Sequence, residues 1–151
     1  MGQILEHKHL IVRAELNNPP QCAEAIQDWM KTLVDKIGMK ILMGPYAVYS
    51  DMEGNRGLTA VTIIETSHIA MHIWDEPKPA LMQLDVYSCG DFDPTDICKK
   101  IMKDFLSGFE VLEKGFNRIT LPVIIRIPVL RRFIPENDFT GITVYFVLKK
   151  L

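Results

Sequence analysis

The chain is short of cysteine. Cys22, Cys89 and Cys98 are all it has, an odd number without metal-ligand spacing, so the sequence encodes neither a disulfide framework nor a recognisable zinc site. It lacks an apolar leader with a small-residue cleavage site, and with so few thiols the expected location is a reducing cytoplasm. It lacks a long apolar run as well. The stretch Leu121 to Leu130 is interrupted by Pro122, Arg126 and Pro128 and falls short of the roughly 20 residues that span a bilayer, so a soluble protein without a membrane partner is expected. Nor is there an excess of charge of one sign: 17 Lys and Arg stand against 19 Asp and Glu, a net charge of -2. Such a balance creates no field to gather nucleic acid or anionic lipid. Repeats and low-complexity segments are missing too.

What is present is an ordinary globular mixture, 48% hydrophobic and 24% charged over 151 residues, enough for one domain with a real core and too little for two. His9 to Leu16 alternates in strand period, with Leu10, Val12, Ala14 and Leu16 on one face. Asn18, Pro19 and Pro20 signal a helix start, Ile26, Trp29, Met30, Leu33, Val34 and Ile37 follow at helical spacing, and Gly38 supplies a stop. Strands are expected at Lys40 to Ser50, bent at Gly44 and Pro45, and at Leu58 to Glu65, with a polar turn from Asp51 to Gly57 between them.

His68 to Trp74 alternates strictly, with Ile69, Met71 and Ile73 on one face and His68, Ala70, His72 and Trp74 on the other. Leu81 to Cys89 repeats the pattern, Met82, Leu84 and Val86 opposing Gln83, Asp85, Tyr87 and Cys89. Asp93 and Pro94 open a second helix whose stripe is Ile97, Ile101 and Phe105, ended by Gly108. Further strands are expected at Phe109 to Glu113 and Gly141 to Leu148, on either side of a proline-interrupted apolar segment from Ile119 to Leu130. The order β-α-β-β-β-β-α-β with short links predicts an α+β, two-layer sandwich, a largely antiparallel sheet with its helices on one face.

The segment Glu65-Thr66-Ser67-His68-Ile69-Ala70-Met71-His72-Ile73-Trp74-Asp75-Glu76, followed by Leu84-Asp85-Val86-Tyr87-Ser88-Cys89-Gly90, resembles the central motif of the bacterial and archaeal S-adenosylmethionine decarboxylases, a self-cleaving, pyruvoyl-dependent family. The likeness reaches from about Lys8 to Gly115 and includes His9-Leu10-Ile11, Ala14-Glu15-Leu16 and Gly57-Leu58-Thr59. It implies a domain over residues 1–116, with residues 117–151 a C-terminal extension of that domain, an added strand or an oligomer contact.

The resemblance also implies a chemistry. The Ser67 hydroxyl attacks the Thr66 carbonyl, the ester undergoes β-elimination, and hydrolysis leaves a pyruvoyl group at residue 67, with cleavage between Thr66 and Ser67. This needs a serine at a strained strand mouth with a base and hydroxyl donors at hand. His72 corresponds to the processing histidine and Thr59 to an assisting hydroxyl. The pyruvoyl ketone condenses with the substrate amine, and the imine accepts the electron pair left by carbon dioxide, so no pyridoxal phosphate is needed. Cys89 corresponds to the cysteine that returns a proton to the substrate carbon; Trp74 and Glu76 correspond to positions that stack on the nucleoside and bind its ribose hydroxyls. The implied activity makes the aminopropyl donor for spermidine synthesis, from a homodimer whose active sites lie near the subunit interface.

The residues by themselves allow plainer readings. His68 and His72 would suit a metal on a helix, but on a strand four residues span about 13 Å, so no metal is expected. Cys22 and Cys98, placed on helices, read as structural. Thr66 stands where the family has glutamate, Ala70 where it has serine or threonine, and no phenylalanine precedes Gly57 to stack on adenine. Two alternatives therefore stay open: a pyruvoyl decarboxylase of ornithine or arginine, and an unprocessed, non-catalytic paralogue that binds a ligand or a partner subunit. Strict alternation also places His72 on the face opposite Ser67, so the strand either kinks at its start or begins after the serine.

Overall fold

The structure, a computed structural model, describes residues 6–20, 22–105 and 143–150. Its elements are β1 (Glu6–Leu16), α1 (Ala23–Lys36), β2 (Ile41–Ser50), β3 (Gly57–Ile64), β4 (Ser67–Trp74), β5 (Ala80–Ser88), α2 (Pro94–Phe105) and β6 (Thr143–Lys150). The six strands form one sheet in the order β2-β3-β4-β5-β1-β6, and every neighbouring pair is antiparallel. The α+β expectation holds.

Period-two patterning decides which face of the sheet meets the helices. Leu10, Val12, Ala14 and Leu16 of β1, Ile69, Met71 and Ile73 of β4, and Met82, Leu84 and Val86 of β5 are all buried in one cluster with Ile26, Met30, Leu33 and Val34 of α1 and Ile97 and Ile101 of α2. Each such Leu or Ile contributes on the order of 1.5–3 kcal/mol by leaving water. The two helices also touch each other: the Trp29 and Phe105 rings lie 4.9 Å apart, and Trp29 Nε1–H donates to Asp104 at 2.9 Å. Both predicted helical stripes are thus where the spacing put them.

The boundaries shift in informative places. α1 begins at Ala23, with extended Cys22 as its N-cap and no side-chain cap, rather than at the Asn18-Pro19-Pro20 signal. Cys22 is exposed, which corrects its structural reading, whereas Cys98 is buried as expected. Gly38 follows the helix at φ +69, the left-handed position that glycine fills without strain. The bend in β2 is present as register shifts between Ile41 and Tyr46. Gly57, at the start of β3, lies so close to β4 that a Cβ there would meet the Ile73 carbonyl oxygen at 1.8 Å. The final strand pairs with β1, from Arg13↔Thr143 to Glu6↔Lys150. The expected stop at Gly108, strand at Phe109 to Glu113 and apolar segment at Ile119 to Leu130 lie outside the described residues.

Candidate functional site

The helices cover one face of the sheet and leave the other to side chains of a different kind. β4 and β5 pair from Ser67↔Ser88 to Trp74↔Leu81, which sets His68 beside Tyr87 and Ala70 beside Asp85 on that open face. β1 pairs with β5 so that His9 also stands beside Tyr87. Tyr87 is therefore flanked by two histidines. The His68 ring stacks on it with centroids 5.8 Å apart, and His9 meets it edge-on at 5.3 Å. The Tyr87 hydroxyl lies 2.8 Å from His7 Nδ1. Asp85, opposite Ala70 and Ile11, reaches diagonally: Oδ2 lies 2.8 Å from His9 Nε2 and Oδ1 3.7 Å from His68 Nε2. Oδ1 is buried and has no hydrogen-bond partner.

Ser67 opens β4 after a hairpin connection made by Glu65 and Thr66 alone, since Ile64 pairs with Ser67. Connections this short favour Gly or Asn, which accept positive φ within the turn. Neither is present, and the positive φ falls on Ser67 at 148°, the only non-glycine residue among those described to have one. A serine held there costs about 1–3 kcal/mol and persists only because the flanking pairings over-determine it. The strain has a geometric result: the Ser67 hydroxyl turns toward its neighbour's ring, and Oγ lies 3.1 Å from His68 Nδ1. The parity conflict in the sequence is thus resolved by a kink at the first residue of the strand.

The peptide bond before Ser67 is held from its other side. The Cys89 N–H donates to the Thr66 carbonyl oxygen at 3.0 Å. Thr66 Oγ1 lies 2.8 Å from Oγ of Ser88, a fully buried residue whose hydroxyl also accepts the Gly90 N–H at 2.8 Å. Gly90 is required by packing, because a Cβ there would sit 2.7 Å from Thr66 Cγ2. Thr66 is therefore held by a hydroxyl network of its own. Cys89 itself is exposed, one residue past the end of β5.

The remaining expected site residues gather elsewhere. Thr59 Oγ1 and His72 Nδ1 are 3.1 Å apart, joined across the β3–β4 pairing. The Trp74 ring stacks on His72 at 5.7 Å and donates its N–H to Asn55 at 2.8 Å. Glu76 accepts the Gly54 N–H at 3.2 Å. Trp74 and Glu76 line a cleft of about 420 Å³ together with Arg13, Gly54, Pro77, Leu81 and Gln83. Five residues of strand separate Ser67 from His72, roughly 16 Å. One chain thus brings Thr66, Ser67 and Cys89 together, brings Thr59, His72, Trp74 and Glu76 together, and holds the two groups apart.

His9, His68, Asp85, Tyr87 and Ser88 were not singled out as functional from sequence. Alternation alone carried a signal for four of them, since β1, β4 and β5 each have a face of His, Asp or Tyr and only their register was missing. Among the described residues no group of three or more His, Cys, Asp or Glu is arranged to hold a metal ion, and no helix is long and apolar enough to cross a membrane.

A six-stranded antiparallel sheet, backed by two helices and carrying a strained serine at a hairpin mouth, sets the class of protein: an α+β domain with a built polar site on its open face. Comparison with known proteins then gives the family. The family model described as S-adenosylmethionine decarboxylase matches residues 9–114. An S-adenosylmethionine decarboxylase proenzyme of Archaeoglobus fulgidus is 29% identical over 61% of this chain and 80% of its own length. Proenzymes of the same name from Syntrophomonas wolfei and Persephonella marina are 37% and 34% identical over 35% and 44% of the chain, covering 41% and 49% of their own lengths. The chain belongs to the S-adenosylmethionine decarboxylase family.

Proposed function

We propose that the protein is a self-processing, pyruvoyl-dependent decarboxylase of S-adenosylmethionine, and that Ser67 is the residue converted. The observation that carries this is the geometry of one peptide bond. Ser67 is strained, its hydroxyl meets an imidazole nitrogen, and the carbonyl before it already accepts a backbone N–H. A strained backbone favours its own rearrangement, and a donor placed on a carbonyl oxygen stabilises the charge that develops there during attack. The donor set fits a pyruvoyl group formed from Ser67. That group supplies a ketone that takes up the substrate amine and serves as the electron sink when carbon dioxide departs.

The chain's own residues do the rest. Cys89, exposed and next in sequence to the residue paired with Ser67, returns a proton to the substrate carbon. Trp74 stacks on the nucleoside and Glu76 accepts hydrogen bonds from ribose hydroxyls in the cleft they line. Thr59 and His72 form a hydroxyl-imidazole pair ready for proton transfer.

These groups work as one site if two chains share it. The open face carries an exposed apolar row, Tyr46 and Val48 of β2 with Val61 and Ile63 of β3, of the kind that marks an interaction surface. A two-fold axis crossing β4 near Ala70 sets the Ser67 end of one copy against the His72 end of the other. Ala70, small and on the open face, permits the approach. The functional unit is then a homodimer whose product serves spermidine synthesis in the cytoplasm, with a small-molecule substrate and neither metal, nucleic acid nor membrane.

The test is release of labelled carbon dioxide from carboxyl-labelled S-adenosylmethionine, ornithine and arginine. Turnover of S-adenosylmethionine alone, lost in Ser67→Ala, is expected. Turnover of either amino acid instead, or of none, contradicts the proposal.

A further inference from the structure

We propose that His68, held by Asp85, is the base that removes the Ser67 hydroxyl proton within the same chain, so that the first step of processing needs no residue from a partner. The inference rests on the self-processing reading above and adds to it a catalytic residue and its positioning group.

His72 is not placed to do this in its own chain, being five strand residues from Ser67 and occupied with Thr59. His68 is placed to do it. Its Nδ1 lies 3.1 Å from Ser67 Oγ, while its other nitrogen faces Asp85 Oδ1 at 3.7 Å. That oxygen is a buried acceptor without a hydrogen bond, and a ring N–H on Nε2 is the group it faces. A proton on Nε2 leaves Nδ1 as an acceptor, which is the tautomer that can take the serine proton. As His68 becomes cationic, Asp85 gains a full charge partner, so the pair tightens as the proton moves. Stacking on Tyr87 holds the ring in plane, and His9 fixes the carboxylate through Oδ2 at 2.8 Å.

The step balances without another reactant. Ser67 Oγ gives its proton to His68 Nδ1 and bonds to the Thr66 carbonyl carbon, whose oxygen takes the negative charge against the Cys89 N–H. The carbon-nitrogen bond then breaks, the proton on His68 passes to the departing Ser67 nitrogen, and an ester with a free amine remains. His68 is regenerated.

The experiment follows chain cleavage directly from cell-free synthesis of the full chain, with and without hydroxylamine, which splits esters but not peptide bonds. Wild-type chains are expected to cleave. His68→Ala is expected to cleave about 100- to 10,000-fold more slowly, the ordinary contribution of a positioned base, with hydroxylamine releasing no fragment because no ester forms. Added imidazole is expected to restore part of the rate. His68→Gln, which keeps hydrogen bonding but not proton affinity, is expected to match His68→Ala, with both variants compared by circular dichroism.

Asp85→Asn has a separate readout. Facing His68 are Asp85 and Tyr87 on β5, Ile63 on β3 and, across Tyr87, His9 on β1. Asp85 is the carboxylate among them, and its Oδ1 is the acceptor that keeps the ring proton on Nε2, so Asp85→Asn is expected to slow cleavage and Asp85→Glu to restore part of the rate. Wild-type rates in His68→Gln, or an ester trapped by hydroxylamine in either His68 variant, overturn this proposal and leave the pyruvoyl reading standing. Failure of wild-type chains to cleave at all removes both.

Discussion

The two ends of β4 do different work. At the Ser67 end the backbone is strained, and the groups around the reactive bond come from consecutive residues and from the neighbouring strand β5. At the Trp74 end the strand is regular, and an imidazole, an indole and a hydroxyl stand in register beside a cleft. One end is the one at which we propose that the chain breaks its own bond. The other lines a cleft open to something that arrives from outside. The two ends lie five strand residues apart, and the proposed homodimer is the arrangement in which one chain's Ser67 end meets the other's His72 end.

Subunit complementation tests that division most severely. Ser67→Ala and His72→Ala are each expected to be inactive alone. Coexpressed, they form mixed dimers in which one of the two shared sites is intact, and about a quarter of wild-type decarboxylation returns if chains pair at random. No recovery in verified mixed dimers means that Ser67 and His72 act within one chain.

A second contrast runs through the thickness of the sheet. Ile69 is fully buried against the helices, whereas Val61 is 41% exposed on the open face. Ile69→Ala is expected to lower the unfolding free energy by about 2–5 kcal/mol in urea titrations. Val61→Ser is expected to change the stability of an isolated chain by no more than about 0.5 kcal/mol. It should instead raise the dimer dissociation constant measured by sedimentation.

The smallest effect concerns the thiols. Burial, with a lesser contribution from the Asp93 charge, pushes the Cys98 thiol up to about 12. Alkylation needs the thiolate. Cys22 and Cys89, both exposed, should therefore react with iodoacetamide at neutral pH while Cys98 does not until the chain unfolds. Peptide mapping of the labelled sites reads this directly.

Much of this architecture was legible beforehand because burial imposes a period. The stripes of α1 and α2 and the covered faces of β1, β4 and β5 follow from spacing alone, and all are buried. The start of α1 was misread because Pro19 and Pro20 suit a first helical turn as well as an extended lead-in, and only the packing of Ile26 and Trp29 fixes where the turns must begin. The site was legible as a set of residues and illegible as a geometry. The motif pointed to Ser67, but the kink that aims its hydroxyl comes from a hairpin without glycine, whose strain settles on whichever residue the pairings leave to take it. The role of Asp85 depends on a diagonal reach across two strand registers, which no single segment of sequence contains.

The central claim, conversion of Ser67, is most directly tested by the intact mass of the purified full-length protein and of its Ser67→Ala variant. Two polypeptides are predicted for the wild type, one ending at Thr66 and the other beginning with a ketone-bearing residue 67, with a single unbroken chain for the variant. A wild type that remains one polypeptide after prolonged incubation would contradict it.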